Sequence, residues 1–378
     1  MSPLLVENPE RYRLERPEVA QLPKYNAGLP IEAIRLRYKV DRIAKLASNE
    51  NPFGASPRAL AALADMAALT ASYPDGECVA LKKALSGFLG VTAARIAVGN
   101  GSENLIELAC LAFLNPGERV VTADPCFGLH EIFARAMSAQ VEKVPFDARF
   151  QFDVPQWRRV LAKPAKIVMI ANPSNPVGCR LDVEQFRSVI AAAPPDALLL
   201  IDEAYYEFAN GAGFPDSLTE LARQERPWLV LRTFSKAYGL AGLRVGYGIA
   251  SSAHLSETLE RVRTPFNVNA AAQAAAAAAL ADQEHVSRSV QGILSEREIV
   301  RRALEQAGYA VAPSHTNFLF FDSGEPAVQL AERLLARGVI VKPWRDPGYE
   351  RFVRVSVGSR ADNEQFLAAL NDVAGRGQ

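Results

Sequence analysis

Cysteine is scarce in this chain of 378 residues: Cys78, Cys110, Cys126 and Cys179 are scattered and form no CxxC pair. Their spacing excludes a disulfide framework and a thiolate zinc module, and it reads as four reduced thiols with no metal site. Excess charge is missing too, because Lys plus Arg and Asp plus Glu both total 42. Nothing in that balance advertises nucleic acid or an anionic membrane, so any ligand has to be recognised locally. The one long apolar tract, AAAQAAAAAALA from residue 270, is nearly all alanine, a strong helix former and a poor membrane anchor. The amino-terminal MSPLLVENPERYRLERPEVAQ interleaves charges and prolines with short apolar pieces, unlike a signal peptide or a span. What these absences leave is a cytoplasmic enzyme or binding protein.

Apolar residues make up 49% of the chain, enough for a large core. At roughly 150 residues per domain the length suggests two or three domains. From 45 to 265, the β-branched runs RIAVGNG, RVVTADP, KIVMIANP, ALLLIDEAY, WLVLRTFS and RVGYGIA read as buried strands that end in small or polar residues. Amphipathic stretches such as ENLIELACLAF and VEQFRSVIAAA lie between some of them. This alternation predicts an α/β fold, a mostly parallel central sheet sandwiched by helices, with ligands at the carboxyl ends of the strands. From 266 to 378 the pattern changes to long helices and the strands NFLFFD, VIVKPW and FVRVSVG, a smaller α/β domain with an interdomain helix. Residues 1–44 are expected to form an arm that joins it.

The stretch RTFSKAYGLAGLRVGYG (residues 232–248) sets Lys236 beside hydroxyl side chains in otherwise small and aliphatic company. Burial lowers a lysine pKa, giving a neutral amine able to condense with a carbonyl. Thr233, Ser235 and Arg244 supply hydroxyls and a guanidinium fork, equipment for a phosphate. A phosphate anchor beside a carbonyl-reactive lysine suggests pyridoxal phosphate, which also requires an anion near its ring nitrogen. Asp202, at the end of the ALLLI strand, supplies one. Standing alone it would read equally well as a helix cap.

NPSNPVG (172–178), DEAY (202–205) and SKAYGLAGLRVGY (235–247) resemble the fold-type I, class I/II pyridoxal-phosphate-dependent aminotransferases. KLASNENPFGASP (45–57), YPDG (73–76) and RTPFNVNAAAQ (263–273) are similar to their histidinol-phosphate aminotransferase subfamily. The likeness runs from Tyr25 to Arg360. It implies that Lys236 bonds the cofactor and shuttles a proton, that Asp202 pairs with the ring nitrogen, and that Tyr205 and Asn175 hydrogen-bond the phenolic oxygen. Phe127 of DPCFG would lie over the ring, or else simply pack in the core. Gly101, Ser102 and Glu103, opening the helix ENLIELACLAF, would offer backbone N–H groups to the phosphate. Tyr73 resembles a tyrosine that reaches the neighbouring subunit's cofactor, implying a homodimer with shared sites, although a turn-forming YPDG would look the same in a monomer.

Tyr25, Asn51, Lys342, Arg345 and Arg354 are implied to bind substrate, with Arg354 gripping a carboxylate or phosphate. Two departures bear on the substrate. Lys342 of VIVKPW stands where the subfamily commonly has an arginine, and YNAG lacks a proline before its glycine. The leading expectation is transfer of an amino group between histidinol phosphate and 2-oxoglutarate. Its rivals are an aromatic amino-acid aminotransferase, a decarboxylase or lyase acting on a phosphorylated amino acid, and an effector module of a transcription regulator. The last would need a helix-turn-helix domain, and the 44 residues before KLASNENP are too few and too often interrupted by proline.

Overall fold

The computed structural model describes residues 14–23, 31–66 and 71–374. A short strand, β1 (Ala44–Lys45), precedes seven strands that form one sheet. These are β2 (Ile96–Gly99), β3 (Arg119–Asp124), β4 (Gln140–Pro145), β5 (Ile167–Ala171), β6 (Leu198–Asp202), β7 (Trp228–Thr233) and β8 (Gly246–Ala250). Their order is β2-β8-β7-β6-β5-β3-β4, with every pairing parallel except the two made by β8.

The near-continuous apolar runs follow from burial on both faces. Val168, Ile170, Leu199, Ile201 and Val230 enter one core cluster, while Ile167, Met169, Leu198, Leu200 and Leu229 enter another. Successive side chains of a strand point to opposite faces, so each run feeds two helical layers. β4 carries Glu142 and Lys143 and lies at the sheet edge, where one flank needs no partner strand. The alanine helix Ala270–Leu280 buries Ala272, Ala275, Ala276 and Ala279 against helices Pro57–Ala64 and Val79–Leu89. Its small side chains permit that close approach, and Asn269 caps it by accepting from Ala272 N.

The remaining strands are β9 (Ala310–Val311), β10 (Phe318–Asp322), β11 (Val339–Ile340), β12 (Lys342–Pro343) and β13 (Phe352–Ser356). β12, β13, β10 and β9 make an antiparallel four-stranded sheet, and β11 pairs in parallel with β1. Leu46, Leu304, Phe321, Val355 and Phe366 form a third core cluster beneath it. Helix Gln283–Gln306 contributes Val286 and Ile293 to the first cluster and Val300 and Leu304 to the third, bridging the two sheets. Among the described residues no helix is long and apolar enough to cross a membrane.

Candidate active site

One edge of the seven-stranded sheet gathers the polar residues. Asp124, Asp202 and Thr233 end β3, β6 and β7, and Asn175 follows β5. β8 runs the other way, so Arg244 reaches the same edge just before its strand starts, whereas Lys236 comes just after β7 ends. Asn175, Asp202, Thr233, Lys236 and Arg244, together with residues 47–50 and the β12–β13 side of the small sheet, line a cavity of about 1300 Å³.

Within this cavity Lys236 Nζ donates to Ser48 O at 3.1 Å. Burial, then the nearby Arg354 guanidinium, pull the lysine pKa down to about 8. Asp202 is buried, with Oδ2 at 3.2 Å from Nε2 of His130, and Oδ1 accepts from Ala204 N. Tyr205 OH accepts from Asn49 Nδ2 at 2.8 Å. Arg354 Nη1 donates to Asn175 Oδ1 and Nη2 to Ala47 O, both at 2.7 Å. Phe127 lines the cavity and meets His130 edge to face, with ring centroids 5.7 Å apart.

At the opposite end, helix Ser102–Phe113 points its first turn into the cavity. Gly101 precedes it at φ 85°, and a Cβ there would stand 2.5 Å from Arg244 Nη2, so glycine keeps this cradle open. Arg244 Nη2 donates to Glu103 Oε1 at 2.8 Å, and Nη1 lies 3.5 Å from Ser235 Oγ. Ser235 N donates to Thr233 Oγ1. A helix N-terminus, a hydroxyl and a guanidinium converging on one space form an anion site.

The outer part holds Lys342, Trp344, Arg345 and Lys143. Lys342 stands opposite Arg354 in the β12–β13 register, which places the two on one face of the sheet. Burial, followed by the charges of Arg354 and Arg345, draws Lys342 down to about 8.

Not every expected residue comes to the cavity. Asn51 turns away, donating to Ala237 O and accepting from Phe53 N, and Asn49 and Glu50 line the wall instead. Asn51, expected to contact substrate, therefore stands outside the cavity lining. Asn51 is held in a turn, while Asn49, at φ 54°, faces inward. Tyr73 is 83% exposed and stacked on Phe266, with centroids 4.6 Å apart, and does not line its own chain's cavity. Tyr25 lies outside the described residues. Asn49 and His130 escaped the sequence reading. Asn49 lay inside a quoted motif, whereas His130 had no local signal beyond a polar residue on an apolar helix face.

Comparison with known proteins gives a consistent picture. The family model described as Aminotransferase class I and II matches residues 41–370. Histidinol-phosphate aminotransferase 3 of Rhizobium meliloti is 44% identical over 358 residues, covering 95% of this chain and 97% of that protein. Histidinol-phosphate aminotransferase 1 of Mesorhizobium japonicum is also 44% identical over 358 residues, covering 95% and 98%. The crystal structure of histidinol-phosphate aminotransferase from Sinorhizobium meliloti, in complex with pyridoxal-5′-phosphate, superposes with a TM-score of 0.87 at 30% identity, over 96% of this chain and 98% of that one.

Proposed function

The chain belongs to the class I and II aminotransferases, and from that premise we propose that it moves an amino group between histidinol phosphate and 2-oxoglutarate, using pyridoxal phosphate. The observation that carries the substrate is the meeting of Arg354, Lys342 and Arg345 in the cavity that also holds Lys236.

The donor set suits the cofactor. Lys236 offers an amine whose pKa is held near 8, Asp202 a buried carboxylate, and Gly101 an open cradle at a helix N-terminus beside Arg244. When bound, pyridoxal phosphate supplies a ring that takes up the electrons of the substrate Cα–H bond. Lys236 would take the proton from the substrate Cα and deliver it to C4′ of the cofactor. Asp202 holds a proton on the ring nitrogen, with His130 fixing its orientation. Tyr205 and Asn175 would hydrogen-bond the phenolic oxygen, and Phe127 would lie against the ring. The backbone N–H groups of Ser102 and Glu103, the Ser235 hydroxyl and Arg244 would hold the cofactor phosphate, with Thr233 bracing Ser235.

In this reading Arg354 and a second cation, Lys342 or Arg345, hold the substrate phosphate. Two copies pair so that Tyr73, exposed on its own chain, completes the partner's pocket, and the enzyme works in the cytoplasm. The test compares turnover of histidinol phosphate, phenylalanine and glutamate with the purified protein. Histidinol phosphate is expected to lead. Faster turnover of phenylalanine would make the protein an aromatic amino-acid aminotransferase on the same cofactor machinery.

A further inference from the structure

We propose that Asn49 is a positioning residue that aims the Tyr205 hydroxyl proton at the cofactor's phenolic oxygen and ties that aim to the strand carrying Arg354. The inference rests on the pyridoxal phosphate reading given above.

Asn49 is 1% exposed and adopts φ 54°, a left-handed conformation that Asn tolerates better than most side chains. Three parts of the fold meet on it. Its backbone N–H donates to Ser356 Oγ at 2.8 Å, and its carbonyl accepts from Asn317 Nδ2 at 2.9 Å. Its side-chain amide bridges Ser356 on β13 and Tyr205 just beyond β6, at 2.9 and 2.8 Å. Ser356 sits two residues after Arg354, and both are buried.

The direction of the chain follows from counting donors. Ser356 Oγ already accepts from Asn49 N, so its single hydrogen is directed to Asn49 Oδ1. Turning the amide over would leave that buried hydroxyl hydrogen facing a donor, at the cost of an unsatisfied group. Oδ1 therefore faces Ser356, and the NH₂ faces Tyr205. Because Tyr205 accepts at Asn49, its own O–H donates elsewhere. A phenolic O⁻ that receives this hydrogen is stabilised as the anion, which lowers the pH at which the bound cofactor takes up its proton. Without Asn49 the tyrosine is not obliged to point its hydrogen that way.

The experiment titrates the visible absorbance of the cofactor-bound enzyme against pH. Asn49→Asp keeps the size and the tolerance of positive φ but replaces the NH₂ donor with a carboxylate that accepts from Tyr205. Its midpoint is expected to rise by about one unit, a roughly tenfold change in the acid constant. Ser356→Ala releases the amide to turn and is expected to give a smaller rise; it decides the matter alone if Asn49→Asp does not fold.

In a Tyr205→Phe background neither substitution should move the midpoint further. Lys236, the charged groups that act on it (Arg354, Glu50, Arg244 and Glu103), the Asp202–His130 pair, and the cavity-lining Lys342, Arg345, Lys143 and Glu131 are the same in both backgrounds. Unmoved midpoints overturn the proposal. So does a rise of equal size in the Tyr205→Phe background, which would mark it as an effect of added charge alone. If the wild-type enzyme develops no visible absorbance that Lys236→Ala abolishes, the cofactor reading itself falls, a result distinct from either.

Discussion

His130 Nε2 lies 3.2 Å from Asp202 Oδ2, and both side chains are buried. The histidine comes from helix Gly128–Ala136 and the carboxylate from the end of β6, so the contact couples two elements distant in sequence. Asp202→Asn is expected to lower kcat/KM by about 10²–10³-fold, as when a preorganised electrostatic partner is removed. His130→Ala should weaken cofactor affinity by about tenfold to a hundredfold, the worth of one hydrogen bond to a charged group, read by equilibrium dialysis. A fully active Asp202→Asn enzyme would remove that residue from the mechanism.

Lys236 gives a pH dependence with a defined sign. Its folded pKa, near 8, is lowered first by burial and then by Arg354. Only the neutral amine attacks a carbonyl, so capture of pyridoxal phosphate by the cofactor-free enzyme should speed up as pH rises through about 8 and level off above 9. Arg354→Ala removes a like charge and should move that profile to higher pH. Lys236→Ala should abolish both the visible absorbance and turnover; stopped-flow absorbance checks each point.

Much of this site was legible because its residues lie in short contiguous patterns. Apolar runs ending at Asp202 and Thr233 announced β6 and β7, and burial on both sheet faces is why those runs were unbroken. β4 was missed because an edge strand can carry Glu142 and Lys143 without cost, and β1 and β9 are too short to have a period. The interchange of Asn49 and Asn51 has the same root. Which of two nearby asparagines turns inward is decided by Ser356 and Tyr205, far away in the chain, and no local pattern records them.

Tyr73 bears on assembly. It is 83% exposed and rests on Phe266, itself 45% exposed, so among the described residues an aromatic pair faces outward. A Tyr73→Phe variant and a Lys236→Ala variant should each be impaired. Mixed, they should form hybrid dimers in which one pocket has native composition, and part of the activity should return. A strictly monomeric, fully active protein in sedimentation would end this reading.

The substrate turns on charge at Arg354. A phosphate monoester is mostly a dianion above pH ~6, and one guanidinium is a poor match for two charges in a partly desolvated pocket. Lys342, across the β12–β13 register from Arg354, and Arg345, three residues further on, are the cations placed to share the load. Lys342→Ala or Arg345→Ala should therefore raise KM for histidinol phosphate about tenfold to a hundredfold, the loss of one charge-assisted contact, and leave glutamate little changed. The depressed Lys342 pKa, about 8, adds a second signature. As pH rises past 8 the unliganded lysine loses its charge, so KM for histidinol phosphate should climb in the wild type while KM for glutamate does not. Lys342→Arg, which stays charged, should flatten that climb. Equal, small effects on both substrates, with phenylalanine the better donor, would assign the pocket to aromatic amino acids instead.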